Sequence, residues 1–340
     1  MKTLSSKQKV LIGVAVAVAV ALPLFTPDFR LFQASQVLIF AIAILGLNLL
    51  TGYNGQLSVG HGAFFAVGAY TTALLMNFAG FPYWATVPAA ALVCLAIGFL
   101  FGLPALKLDG HYLALATFAL ALAVPQLLKY KKFSKYTGGA PGTSIEKPNS
   151  PFEFELFGRA FNADVWLYLF VLAITVVLFL CAWNLVRGRI GRALVAIRDQ
   201  PMAAQAMGVN TAIYKSLTFG VSAMYTGIAG ALNAITVQYL APDSFHMFLS
   251  VFLLVGMVIG GMGFIPSALF GAVVIVYLPN FAADISKSLP GAIYGVLLIL
   301  LVYFMPQGIW GALDRLRTMR LPQRSKDAAI PNPGTQRPTP

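Results

Sequence analysis

The residue types that could do chemistry are scarce and scattered. His61, His111 and His246 lie far apart in a chain of 340 residues, and no HExxH pattern gives them a metal-binding spacing. Cys94 and Cys181 both fall inside apolar runs, the setting of core- or lipid-facing thiols rather than of a disulfide or a metal pair. No Ser/His/Asp arrangement follows from spacing. No phosphate-cradling P-loop is present. The glycine cluster at 260–263 lacks the Lys and Ser/Thr such a loop needs, so it reads as a tight turn. These residues argue against an enzyme. Neither a metal nor a cofactor is expected on the chain itself.

What remains is two polar stretches. The first is 46–70, GLNLLTGYNGQLSVGHGAFFAVGAY. Gly46, Gly52, Gly55, Gly60, Gly62 and Gly68 punctuate it, and Asn48, Tyr53, Asn54, Gln56, Ser58 and His61 lie among them. Each glycine costs a helix about 1 kcal/mol relative to alanine, so a regular helix through 53–62 is not expected. One reading is a polar loop between apolar spans. The other is a broken segment lining or gating a pathway, because irregular backbone at membrane depth must be buried in protein or line a wet cavity.

The second stretch is 187–215, RGRIGRALVAIRDQPMAAQAMGVNTAIYK. Arg187, Arg189, Arg192, Arg198 and Lys215 face the single acid Asp199. Ile190, Leu194 and Ile197 recur at helical spacing. Pro201 cannot continue that helix but can begin another. Met202, Ala203, Ala206 and Met207 make a second apolar face, and Gly208 is placed to end it. Two short helices with a sharp bend form a knob. Its apolar ridge is expected to seat in a groove of a soluble partner, with Arg192 and Arg198 as a polar rim. The alternative is an amphipathic helix lying on anionic headgroups.

The elements that must hold these stretches are membrane helices. The chain is 59% hydrophobic and only 10% charged, far below the roughly 25% of soluble domains. Uncharged runs of about 20 residues cross a bilayer as helix, and no alternating segments suggest a barrel. Ten spans are expected: 10–25, 31–50, 63–78, 84–106, 111–128 (interrupted by Pro125), 164–186, 216–240, 247–260, 267–283 and 291–305. The fold class is therefore all-α, a polytopic membrane bundle over 1–312. A long loop occupies 129–163, and a basic, Pro-rich tail, read as disordered, occupies 313–340. The first run also has the layout of a signal peptide, but the many later spans favour a retained helix. Gly98 with Gly102, and Gly256 with Gly260, are spaced for close helix packing.

Ten spans put both termini on the side of 187–215. That side collects the larger share of Lys and Arg, which makes it cytoplasmic by the positive-inside rule. The lysines at 129, 131, 132 and 135 oppose this assignment. The net charge of +12 follows the ends of the spans and forms no aromatic-interleaved basic face, so nucleic acid is not an expected partner.

The spans carry no buried Asp, Glu or Lys for a coupling ion. A transporter so built takes its energy from a partner, or else the chain is a channel or a membrane assembly factor. At this point a resemblance enters. Leu47–Tyr70 and Gly191–Lys215, with GGMGFIPSALFGA at 260–272, are similar to the permease subunits of ABC importers for branched-chain amino acids, of the LivM type. The similarity spans about 31–311. Where that family often has acids after the Arg-Asp pair and at position 205, this chain has Gln200, Pro201 and Gln205.

The resemblance implies alternating access in a bacterial inner membrane, with an ABC permease fold and both termini cytoplasmic. It implies as partners a second homologous permease, two ATP-binding subunits that hold ATP and magnesium, and a periplasmic substrate-binding protein. It implies an ATPase-coupling role for Gly191, Arg192, Ala193, Ile197, Arg198, Asp199, Pro201, Ala203, Ala206, Met207 and Gly208. A sister permease for a sugar, urea, an amide or an aromatic acid would share the scaffold.

Overall fold

The computed structural model describes residues 6–106, 108, 110–149, 155–156, 159–160, 162–285, 290–304, 308–309 and 311. Lys107, Asp109, most of 150–161 and the tail at 313–340 lie outside the described residues.

The chain folds as helices. They are α1 (Ser6–Phe25), α2 (Asp28–Leu47), α3 (His61–Ala79), α4 (Tyr83–Ala105), α5 (His111–Lys129), α6 (Ser134–Thr137) and α7 (Ala163–Arg187). They continue as α8 (Arg189–Asp199), α9 (Pro201–Ala206), α10 (Thr211–Val237), α11 (Met247–Gly260), α12 (Ser267–Ile285) and α13 (Pro290–Phe304). A six-residue π-helix, Asn48–Tyr53, extends α2. Among the described residues, eight helical segments are long and apolar enough to cross a membrane. α1 and α13 occupy the first and last of the ten expected spans. Pro125 does not interrupt its span. It removes one amide near the end of α5, and its burial with Ala121 holds the turn in place.

α10 is the axis of the bundle, packed against α2, α3 and α4. Its sequence explains why it can sit there. At Gly227 and Gly230 its surface has no side chain, so neighbouring backbones close in. A Cβ on Gly230 would lie 2.0 Å from the Phe65 carbonyl, and one on Gly68 of α3 would lie 2.0 Å from the Gly227 carbonyl. The pair Gly98 and Gly102 on α4 meets Ala223, Gly220, Ser216 and Phe219 of α10, as their spacing anticipates. α10 begins one turn earlier than the hydropathy edge because Asn210 caps it, its Oδ1 accepting from the Ile213 amide at 3.2 Å.

The two ends of the bundle are built differently. At one end β1 (Thr143–Ser144) pairs antiparallel with β4 (Tyr239–Leu240), which follows α10 directly. The Ile145 amide adds a bond to the Gln238 carbonyl at 2.8 Å. Lys129 pairs with Asp243, and Lys147 pairs with Asp164 at 2.8 Å. A second short pair, β2 (Glu155–Leu156) with β3 (Arg159–Ala160), lies in the same loop. The other end carries α8, α9, the π-helix and the α11–α12 turn.

Candidate functional site

The π-helix ends at Tyr53, and α3 restarts at His61. Between them the backbone is not helical. Burial along this gap alternates: Asn54, Gln56, Ser58 and Gly60 are buried, whereas Gly55 and Leu57 are exposed and Val59 is half-buried. That is a two-residue alternation, although Asn54 keeps helical dihedrals and Gly55 is left-handed. Asn54 Nδ2 donates to Gln56 Oε1 at 2.8 Å, and the Val59 amide donates to Thr117 Oγ1 of α5 at 3.0 Å.

A relay fixes the restart at His61. Ser58 Oγ lies 3.0 Å from His61 Nδ1, His61 Nε2 lies 2.6 Å from Ser222 Oγ, and Ser222 Oγ donates to the Gly46 carbonyl at 2.6 Å. Ser222 spends its only proton on Gly46, so it accepts from His61 Nε2–H, and Nδ1 accepts from Ser58. The relay also sets the depth. His61 is level with Gly46 in α2 and with Ser222, about 16 Å from the Thr211 end of α10 at 1.5 Å per residue. The chain thus descends through the π-helix, turns, and climbs back into the bundle before α3 begins. It is a re-entrant segment rather than a surface loop.

At the foot of this descent three segments meet. Asn48 Nδ2 donates to the Phe264 carbonyl at 2.7 Å, and the Gly263 amide donates to Asn48 Oδ1 at 2.9 Å, locking the π-helix to the α11–α12 turn. Arg198 of α8 donates through Nη1 to the Gly52 carbonyl at 2.8 Å and through Nε to Asp199 Oδ1 at 2.9 Å. Gly55, at φ +75°, sits against the aliphatic stem of Arg198, where a Cβ would come within 2.9 Å of Cγ. Glycine is required there on both counts.

The knob has the two helices its sequence anticipates. α8 ends at Gln200 (φ −151°, ψ 88°) and Pro201 opens α9. Gly208, at φ +81°, closes α9 with a Schellman pair: its amide bonds to the Gln205 carbonyl at 2.9 Å, and the Val209 amide bonds to Ala204 at 3.0 Å. The faces differ from expectation. Of the expected α8 ridge, Leu194 and Ile197 are buried in the chain's own structure, beside Gly191, and anchor the knob, whereas Ile190 is exposed at 48%. Periodicity sets which residues share a face, and packing decides where that face points. Arg198 reaches back to Gly52 while remaining exposed, as does Arg192, and Ala193 is half-buried. The outward face is Pro201, Met202, Ala203, Ala206 and Met207, with Met202 exposed at 76% and Met207 at 85%.

Of the residues read as pathway-lining, Asn48, Tyr53, Asn54, Gln56, Ser58 and His61 are all buried. Hydrogen bonds of Asn48, Asn54, Gln56, Ser58 and His61 hold the break in place, while Asn54 Oδ1 is buried with no partner among the described residues. Thr117, Ser222, Gly263 and Phe264 complete the site. Sequence reading missed them because each is recruited from another span.

The chain's comparisons bear on this architecture. Residues 29–304 match the family described as branched-chain amino acid transport system / permease component. The chain belongs to that family. The permease protein LivM of the high-affinity branched-chain amino acid transport system of Salmonella typhimurium is 33% identical over 327 residues, covering 89% of this chain and 75% of the relative. LivM of Escherichia coli is 32% identical over 321 residues with the same coverage. The permease protein LivH of Salmonella typhimurium is 23% identical over 287 residues, 80% of this chain and 91% of the relative. No solved structure matches the chain at a significant level. The family match runs from the start of α2 to the end of α13, so the π-helix, the re-entrant segment and the knob of this multi-pass permease all fall within it.

Proposed function

We propose that this permease carries branched-chain amino acids across a bacterial inner membrane as one subunit of an ATP-driven importer. It works beside a second, homologous permease. Two partner subunits bind and hydrolyse ATP with magnesium, and a periplasmic binding protein delivers leucine, isoleucine or valine. The chain itself is a transport subunit and not a catalyst.

The observation that carries this reading is the Arg198 junction. The exposed α9 face, Met202 to Met207, suits an ATPase groove. Small alanines between two flexible, polarisable methionines give an adaptable apolar contact. Arg198, at the end of α8, joins that knob to the backbone of the broken span. A displacement of the knob is therefore passed directly to the broken span.

The reading puts the knob and both termini in the cytoplasm. The lysines at 129, 131, 132 and 135 still oppose it; of these, Lys129 is paired with Asp243 at the other end of the bundle.

The test is ATP-dependent uptake in proteoliposomes with the cognate binding protein, combined with calorimetry on that protein. Binding and uptake of leucine, isoleucine or valine is the expected result. Tight binding of a sugar or urea, with none of these three bound, overturns the cargo assignment.

A further inference from the structure

The alternation along 54–60 runs opposite to an ordinary half-buried strand. Its polar side chains point into the protein and its apolar ones point out. Leu57 is exposed at 36%, Gly55 is exposed and Val59 half-buried, while Asn54, Gln56 and Ser58 are buried. Among the described residues, the amides of Leu57 and Ser58 and the carbonyls of Gly55, Leu57, Ser58 and Val59 make no hydrogen bond. The segment begins at the level of Leu50, whose carbonyl accepts from the Gln56 amide, and reaches the level of Gly46 and Ser222 at His61.

Unpaired backbone at such depth cannot face hydrocarbon, where each unsatisfied group costs several kcal/mol. Regular helices expose apolar side chains freely, as α4 does at Leu92 and α5 does at Leu122. The edge of 55–60 differs from them in its backbone, not in its side chains. It needs water or polar cargo against it.

We propose that the outward edge of residues 55–60 lines the aqueous cargo pathway, with Leu57 and Val59 as the contacts for an aliphatic amino acid. This rests on the importer reading above and exchanges the residues assigned to the pathway. The buried polar set positions the segment. The residues between them meet the cargo: two branched aliphatic side chains for an aliphatic group, and free amides and carbonyls for a carboxylate and an ammonium. The foot of the edge is Gly55, packed on Arg198, so a shift of the knob moves the lining itself.

The experiment uses the complete transporter with Cys181 replaced by serine, leaving only the buried Cys94. Single cysteines are placed at Leu57, Val59, Ser58, Leu92 and Leu122. Each is exposed to a charged, water-borne methanethiosulfonate reagent, with and without ATP. The thiolate is the reactive form and persists only where water reaches it, so Leu57→Cys and Val59→Cys are expected to react about tenfold faster than Leu92→Cys and Leu122→Cys. Their rates are also expected to change with ATP, while Ser58→Cys stays unreactive. Should Leu57→Cys fail to assemble, Val59→Cys carries the same expectation.

Labelling of both no faster than the helix-facing controls overturns the proposal, whether lipid or the second permease covers the edge. Leucine uptake by the parent protein is measured alongside. Its absence defeats the cargo reading, whereas ATP-dependent labelling of the edge stands independently of the cargo.

Discussion

The two ends of this bundle solve the same problem in different ways. At the Asp243 end, the loops after α5 and α10 are stitched by paired strands, a further backbone bond at Ile145 and two ion pairs. At the Arg198 end, three segments are joined by side-chain bonds to backbone, a pair from Asn48 and one from Arg198, across a π-helix and an irregular return. A ladder resists displacement because several bonds must break together. Single bonds to carbonyls can exchange one at a time. In the proposed importer, the first end is then the fixed one and the second the one that moves.

The most severe way to break this comparison is to fill the junction. A Cβ on Gly52 would fall 2.0 Å from Asn48 Oδ1 and 2.7 Å from the Gly263 amide. Gly52→Val is expected to cost about 2–3 kcal/mol through overpacking and to abolish uptake. A variant with unchanged melting temperature and full uptake would remove the junction from the mechanism.

A sharper cut separates docking from transmission. Ala203→Glu puts a charge on the outward α9 face and is expected to lose the ATPase subunits on purification. Arg198→Ala should keep them, retain ATP hydrolysis and lower uptake about tenfold, since a charge-assisted bond of about 1.5–3 kcal/mol is removed. Arg198→Lys should restore part of it. If Arg198→Ala instead releases the ATPases, the arginine is a rim contact after all.

The smallest effect is expected at the other end. Lys129→Met removes an ion pair whose aspartate is largely solvent-exposed. Such pairs contribute less than about 1 kcal/mol, so uptake should change less than about twofold. A large transport defect would transfer the moving role to that end.

Much of this was legible in the chain. The spans follow from uncharged runs, the break from Gly52, Gly55 and Gly60, and the knob from Pro201 and Gly208, because each is a local rule of backbone conformation. What was not legible is orientation. Leu194 and Ile197 share a face in any helix of that sequence, but only packing turns them inward. Asn54, Gln56 and Ser58 looked like pathway residues because they are polar. In a chain surrounded by lipid the polar side chains are drawn inward to satisfy one another, and the exposed edge falls to Leu57. The bond from Arg198 to Gly52 joins residues far apart in sequence, and no periodicity reports it.

The unbroken α10 has a consequence of scale. Its 27 residues make a rod of about 40 Å at 1.5 Å per residue. Its glycine faces leave α2, α3 and α4 no room to slide against it, so the four tilt as one lever. Pivoting at the stitched end, a tilt of about 5° sweeps the far end through about 3.5 Å. In the proposed cycle, a rotation of that size would let the junction at Arg198 rearrange without unfolding the bundle.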